Sequence, residues 1–239
     1  MFKGKWRIAR IHKLLGLVIG LQFLFWTVSG LFFTLYPIET IHGDPYRPAP
    51  KHGSLAKMST PISAAEAAAI VPGELAEADL RAFLDQPVWV IRTDTTRAMV
   101  DATTGAMRSP LNKADIDALQ ARFWTSQAGT RPLSDISHSF LLEADPPREY
   151  GGPLPAWVIE YLPGGQRIYV DAVTGKVVAV RTTRWRIFDV LWRFHILDVT
   201  GEDEFDTWWM KLAAFLALTT VLTGIVMLVD RARRGALWR

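Results

Sequence analysis

Residues 14–36 read LLGLVIGLQFLFWTVSGLFFTLY, 23 positions without a charged side chain. A bilayer core about 30 Å thick is crossed by about 20 apolar residues rising 1.5 Å each, so this run is long enough to span it. A second run, residues 212–229 (LAAFLALTTVLTGIVMLV), has 18 uncharged positions and is completed outward by residues 207–211. Lys3, Lys5, Arg7, Arg10 and Lys13 precede the first run; Arg231, Arg233, Arg234 and Arg239 follow the second. Basic residues beside a span stay in the cytoplasm, so both ends are expected inside and residues 37–206 outside. Trp6 at the inner edge, and Tyr36, Trp208 and Trp209 at the outer edge, suit the aromatic belts of a bilayer. The competing reading of the first run is a cleaved leader. Its length exceeds a leader's apolar core, and Tyr36-Pro37 closes it without a small-residue cleavage site, so an anchor is expected.

Composition removes several function classes. Residues 37–206 hold 17 Lys or Arg against 23 Asp or Glu, so the formal charge of +3 averages two unlike compartments. The basic ends are explained by topology, and no nucleic-acid partner is expected. There is no cysteine, which excludes disulfides, thiolate metal sites, iron–sulfur clusters and covalently attached c-type haem. No glycine-rich nucleotide loop, no His-Glu-x-x-His and no nucleophile with a paired histidine and acid is present, so no catalytic residue and no metal site is assigned.

The outer segment carries an internal echo. Trp89-Val90-Ile91-Arg92 is followed by Val100-Asp101-Ala102-Thr103-Thr104-Gly105, and Trp157-Val158-Ile159-Glu160 by Val170-Asp171-Ala172-Val173-Thr174-Gly175. Each reads as two antiparallel strands and an Asp-x-x-Thr-Gly turn into a third, with a longer hairpin loop around Pro163-Gly164-Gly165 in the second. Gly105 and Gly175 suit a positive φ, and Asp101 and Asp171 suit hydrogen bonds to the turn backbone, which are structural roles. Residues 37–61, rich in Pro, Gly and His, read as an extended linker. Ser63-Ala-Ala-Glu66 matches a capping box and starts a short helix that stops before Val71-Pro72-Gly73. A helix is expected from Asn112 or Lys113 to about Trp124, with Ile116, Leu119 and Phe123 on one side. Residues 125–154 hold many turn formers and no strand is assigned there. From Arg184 to Val199, Phe188, Leu191, Trp192, His195 and Ile196 share one helical face. This amphipathic helix is expected to lie on the outer leaflet, the alternative being a helix packed on the outer domain.

Several of these pieces resemble the PepSY-associated transmembrane proteins. Arg10-Ile11-His12-Lys13-Leu14-Leu15-Gly16-Leu17 is similar to the family's Arg-x-x-His-x-x-x-Gly at the start of its first span, and Ser29-Gly30-Leu31 to its Ser-Gly-Leu. Tyr169-Val170-Asp171 to Thr174-Gly175 resembles its Tyr-Val-Asp-x-x-Thr-Gly turn. Leu191 to His195 with Asp198 resembles its Leu-x-x-x-His element, and Thr223-Gly224-Ile225 matches the Thr-Gly of a later span. The order of these motifs covers nearly the whole chain. The resemblance implies a membrane α+β fold in the bacterial inner membrane: N- and C-terminal transmembrane helices enclosing a periplasmic PepSY-like α+β domain with a duplicated β-hairpin. The expected divisions are a basic cytoplasmic terminus (1–13), a span (14–36), the linker (37–61), two PepSY-like units (62–125 and 126–183), the interfacial helix (184–199), a span (207–229) and a basic cytoplasmic terminus (230–239).

Some members of that family bind haem b and reduce ferric siderophores on the outer face, whereas this sequence shows only two spans. Its histidines are the candidate ligands. His12, Gly16 and Gly20 recur every four residues, and the glycines make a flat groove open to a helix or a planar macrocycle. His12 reads either as an axial haem ligand or as a headgroup-level histidine beside that groove. His195 reads either as a second axial ligand or as a partly buried histidine bonded to a neighbour such as Asp198. The two lie on opposite sides of the core, about 30 Å apart, and cannot share one iron. A second ligand would come from a homodimer or from a partner subunit. His138 reads as a surface residue, and His42 and His52 fall in the linker. Ala213, Ala217, Thr220 and Gly224 offer a small-residue packing face on the second span. Three functions follow as expectations: a haem-b membrane oxidoreductase passing electrons to a periplasmic acceptor such as ferric iron chelates; a non-catalytic accessory subunit of a larger respiratory or transport complex; and a regulator of an outer peptidase. The partners expected are membrane lipid and a second copy or a larger complex.

Overall fold

The computed structural model describes residues 2–123, 136–162, 165–201 and 203–235. They fall into two compact units: Ile38–Arg186, and the described residues on either side of it.

The flanking unit is built on two long helices, α1 (Phe2–Leu35) and α6 (Trp208–Arg233). Both are long and apolar enough to cross a membrane: an 18-residue window has a mean hydropathy of 1.9 within Arg7–Leu35 and 2.4 within Trp208–Arg233. Thr207 caps α6, its hydroxyl accepting the Met210 N–H. The helices meet where Ile19 is buried against Ala213 and Ala217, with Phe23, Trp26 and Leu216 around them. Alanine there lets the backbones approach closely. Leu17, Leu21, Leu24, Leu218 and Val226 stay exposed, as a lipid-facing surface requires. Between them in sequence lies α5 (Thr183–Ile196), which begins in the central unit and ends in this one.

The central unit holds two antiparallel meanders. One has strands β1 (Leu75–Phe83), β2 (Gln86–Thr93) and β3 (Arg97–Asp101); the other has β4 (Ile136–Leu142), β5 (Ala156–Tyr161), β6 (Gln166–Asp171) and β7 (Val177–Arg181). Strands β2, β3, β5 and β6 are buried along most of their length because both faces are covered. Val88, Val90 and Met99 of the first sheet share a core with Trp157, Ile159, Ile168 and Val170 of the second. Helix α4 (Lys113–Arg122) joins that core through Ile116 and Leu119, and Phe123 follows. Ile91, Ala98 and Val100 face the other way, toward α3 (Ala64–Ala69).

The two hairpins share a register. Trp89 lies opposite Val100 and Val88 opposite Asp101; Trp157 lies opposite Val170 and Ala156 opposite Asp171. Their helices are fastened alike. Trp89 Nε1 donates to the Ile62 carbonyl at 2.8 Å, and Trp157 Nε1 to the Leu111 carbonyl at 2.9 Å. Ile62 N–H donates to Ala102 and Leu111 N–H to Ala172. The next residue in each case is an N-cap in a complete capping box, Ser63 with Glu66 and Asn112 with Asp115. Such boxes satisfy helix N–H groups that would otherwise lack acceptors.

Several details differ from the sequence expectations. A strand precedes each hairpin, β1 and β4; their mixed polar and apolar residues hid them. The first hairpin has no full third strand, only the bridge Val100↔Met107, whereas the second continues into β7. Helix α4 follows the first hairpin in sequence, and its start is fastened to the second, Leu111 bonding Trp157 Nε1 and the Ala172 carbonyl. The stretch expected as an extended linker contains a short helix, α2 (Ile38–Ile41), and two 3-10 turns, Asp44–Tyr46 and Leu55–Lys57. Trp124 and the loop positions Pro163 and Gly164 lie outside the described residues.

Candidate functional site

Both candidate ligands sit in the flanking unit, and each is held by the same ring nitrogen. His12 Nδ1 lies 3.0 Å from the Thr220 carbonyl and 3.0 Å from Thr223 Oγ1. The carbonyl can only accept, so Nδ1 carries the hydrogen. Thr223 spends its own hydroxyl hydrogen on the Thr219 and Thr220 carbonyls, at 2.8 and 3.0 Å. His195 Nδ1 lies 2.6 Å from Ser29 Oγ, and Ser29 donates to the Phe25 carbonyl at 2.6 Å. Here too the ring nitrogen is the donor. In the neutral form of each ring Nε2 then keeps the lone pair, and among the described residues no hydrogen bond occupies it. An acceptor bonded to one ring nitrogen, leaving the other to ligate, is how protein imidazoles are oriented toward metals.

His12 has its place because of Gly224. A Cβ at that position would stand 3.1 Å from His12 Cε1, so a side chain there would push the ring aside. Gly16 and Gly20, by contrast, have nothing within 4 Å of where a Cβ would be. They leave an open strip on α1. Ala213, Ala217 and Thr220 are buried.

His195 sits in an aromatic cluster. Its ring lies parallel to Trp192, with centroids 6.2 Å apart, and Trp192 stacks on Phe188 at 6.1 Å. Phe33 of α1 touches all three, with centroids 5.0 Å from Phe188, 6.2 Å from Trp192 and 5.5 Å from His195. The end of α5 is tied down by side chains of both long helices. Gln22 donates to the Phe194 carbonyl at 2.9 Å, Trp26 to His195 at 2.7 Å and Trp209 to Leu197 at 3.0 Å. The sequence pattern found the apolar face of α5 but not these donors, because no local signal links Gln22 or Trp209 to a helix far along the chain. Asp198, the expected neighbour of His195, instead accepts from Gly201 N–H at 2.7 Å and lies 3.8 Å from Arg193.

Ser29, level with His195, is 17 positions beyond His12, about 25 Å along α1 at 1.5 Å per residue. The two imidazoles therefore address separate positions, and one chain offers one histidine at each.

The other histidines serve the central unit. His52 Nδ1 accepts the Leu84 N–H at 2.9 Å. Burial, then the nearby Arg122, lowers its pKa against the opposing pull of Asp85. His138 Nε2 lies 3.2 Å from Glu160. Glu160 in turn accepts from Arg167, which reaches Glu149 at 3.0 Å. Buried Glu149 also accepts from Tyr169 at 2.7 Å and Arg186 at 2.9 Å. Burial opposes its ionisation, but these three donors outweigh it and the pKa is lowered. No local pattern of residues marks this cluster, because its members come from separate strands, from the segment between β4 and β5 and from α5. Among the described residues, no group of three or more His, Asp or Glu could hold a metal ion.

Neither a curated protein nor a solved structure matches the chain. The family described as the PepSY-associated TM region matches residues 9–239, a stretch that takes in both long helices, both hairpins and both candidate histidines. The chain belongs to the PepSY-associated TM family.

Proposed function

We propose that this is an inner-membrane PepSY-type protein that binds haem b in its flanking unit and serves electron transfer to a periplasmic acceptor such as a ferric iron chelate. The observation that carries the reading is the shared state of His12 and His195: Nδ1 bonded to a neighbouring helix, and Nε2 without a hydrogen bond among the described residues. The open strip at Gly16 and Gly20 gives a flat macrocycle room beside His12. Haem b held there would supply reversible one-electron chemistry. Thr220, Thr223 and Ser29 would fix ring orientation and basicity, and the aromatic cluster would exclude water at His195. His12 and His195 would each hold the group from one side, and a residue of a second copy or a partner subunit would hold it from the other. The basic flanks favour both termini in the cytoplasm and the central unit in the periplasm. The matching registers, indole bonds and capping boxes favour two copies of one PepSY-like unit, each a helix followed by a meander.

The test is the absorbance spectrum, oxidised and then reduced, of detergent-solubilised protein made under haem-replete conditions. A Soret band is expected. His12→Ala and His195→Ala should each remove part of it, and the double variant all of it. Gly224→Ala should perturb only the part that depends on His12. A protein without any Soret band overturns the haem reading. If it then co-purifies with other membrane subunits, it is an accessory subunit, with the Gly16 and Gly20 strip taking a partner helix.

A further inference from the structure

Strand β1 is an edge: among the described residues its only strand partner is β2. Phe83 pairs with Gln86 across a two-residue loop, so the odd-numbered residues of β1 turn their N–H and C=O toward β2. The even-numbered residues turn theirs outward. Leu84 shows this, since its N–H donates to His52 and its carbonyl accepts from Gly53. Among the described residues, nothing bonds the outward groups of Ala76, Ala78, Leu80 and Ala82. An uncovered edge of this length is a template for another strand.

Charge selects which strand. We propose that β1 pairs antiparallel with β1 of a second copy of this chain, on a two-fold axis at Leu80. In that register Leu80 faces the partner's Leu80 and Ala78 faces the partner's Ala82. Every one of these is an outward-bonding position, which makes roughly six backbone hydrogen bonds. Asp79 then stands opposite the partner's Arg81 in the close, non-hydrogen-bonded position, and the contact occurs twice by symmetry. Asp79 is available, because Arg81 of its own strand engages only Oδ2, at 2.6 and 3.1 Å. The neighbouring registers fail. Centring on Asp79 or on Arg81 sets that residue against its own copy, and centring on Ala78 sets Glu77 against the partner's Asp79, like charges in each case. Centring on Ala82 requires the backbone of Leu84, which His52 and Gly53 already occupy. Charges on an edge strand ordinarily discourage pairing; here they discourage all registers but one. Confinement of both copies to one membrane raises their effective concentration. The proposal rests on the strand alone and is independent of haem.

The chain contains no cysteine, so single-cysteine variants give unique cross-links. Leu80→Cys should form a disulfide-linked dimer on mild oxidation, both in native membranes and in detergent, and Asp117→Cys on the exposed face of α4 should not. Asp79→Arg alone, or Arg81→Asp alone, in the Leu80→Cys chain should lower the cross-linked fraction by at least about fivefold, and the double swap should restore it. No dimer at residue 80, equal yields at 80 and 117, or failure of the double swap overturns the proposal. So does a monomer whose even-numbered β1 amides are slow to exchange, because a strand from another protein would then occupy the edge.

Discussion

In the turn after β3, Asp101 accepts the N–H groups of Thr103 and Thr104 at 2.8 and 2.9 Å. In the turn after β6, Asp171 accepts the Val173 N–H at 3.0 Å and the Thr174 hydroxyl at 2.7 Å, and also the Arg97 guanidinium at 2.8 Å. Gly105 and Gly175 both take positive φ, 75° and 68°. Around Gly105 the nearest atom to an added Cβ is Ile62 Cδ1 at 3.8 Å; around Gly175 it is Phe83 Cε2 at 2.4 Å. The same letters thus make a local turn in one place and a joint between two sheets in the other. The cause lies one residue pair away. In the first hairpin Arg97 faces Arg92, a like charge; in the second Arg167 faces Glu160 and pairs with it. Repelled across its own hairpin, Arg97 finds its carboxylate in the second.

The largest test of this difference is alanine at each glycine. Gly175→Ala should cost about 3 kcal/mol or more, adding collision with buried Phe83 to the positive-φ penalty, whereas Gly105→Ala should cost about 1 kcal/mol. Thermal unfolding of the full chain in detergent reads both, and equal losses would erase the distinction. Asp171→Asn comes next, at about 2 kcal/mol, because it leaves the Arg97 guanidinium without a full charge partner. Asp101→Asn keeps an oxygen for both N–H groups and should cost about 1 kcal/mol or less. Arg97→Gln should erase most of the gap between the two aspartates.

Acidification sharpens the comparison further. The folded pKa of Glu149 is depressed, so its stabilisation is present above the ordinary value of 4.5 and is lost as pH falls through the folded value. The difference in melting temperature between wild type and Glu149→Gln should therefore be widest near neutrality and close below about pH 4.5. A difference independent of pH would show that Glu149 acts through shape alone. The smallest effect belongs to Glu77 and Arg92 of the first sheet, whose side chains are 58% and 57% exposed. Glu77→Ala should move stability by no more than about 0.5 kcal/mol.

The hairpins were legible because strand alternation and the Asp-x-x-Thr-Gly turn are local. The capping boxes at Ser63 and Asn112 were legible for the same reason, and the long helices because eighteen or more uncharged residues have few alternatives. The Arg97–Asp171 pair was not, although its cause was visible: Arg92 and Glu160 occupy matching places in the two echoes with opposite charge. Strand β1 escaped notice because Glu77, Asp79 and Arg81 interrupt its apolar residues. At the candidate site His12, Ser29, His195 and Gly224 could be named from the sequence. That Gly224 makes room for His12, and that Ser29 holds His195, depends on helix pairing that no window of sequence contains.

Helix α5 ends beside Gln22, a polar residue within the apolar run of α1. Carbonyls at a helix end normally turn to solvent, and hydrocarbon gives them no donor. One amide and two indoles supply what solvent would have given. The chain can reverse direction there with those carbonyls already bonded, so this end of α5 needs no water to satisfy it.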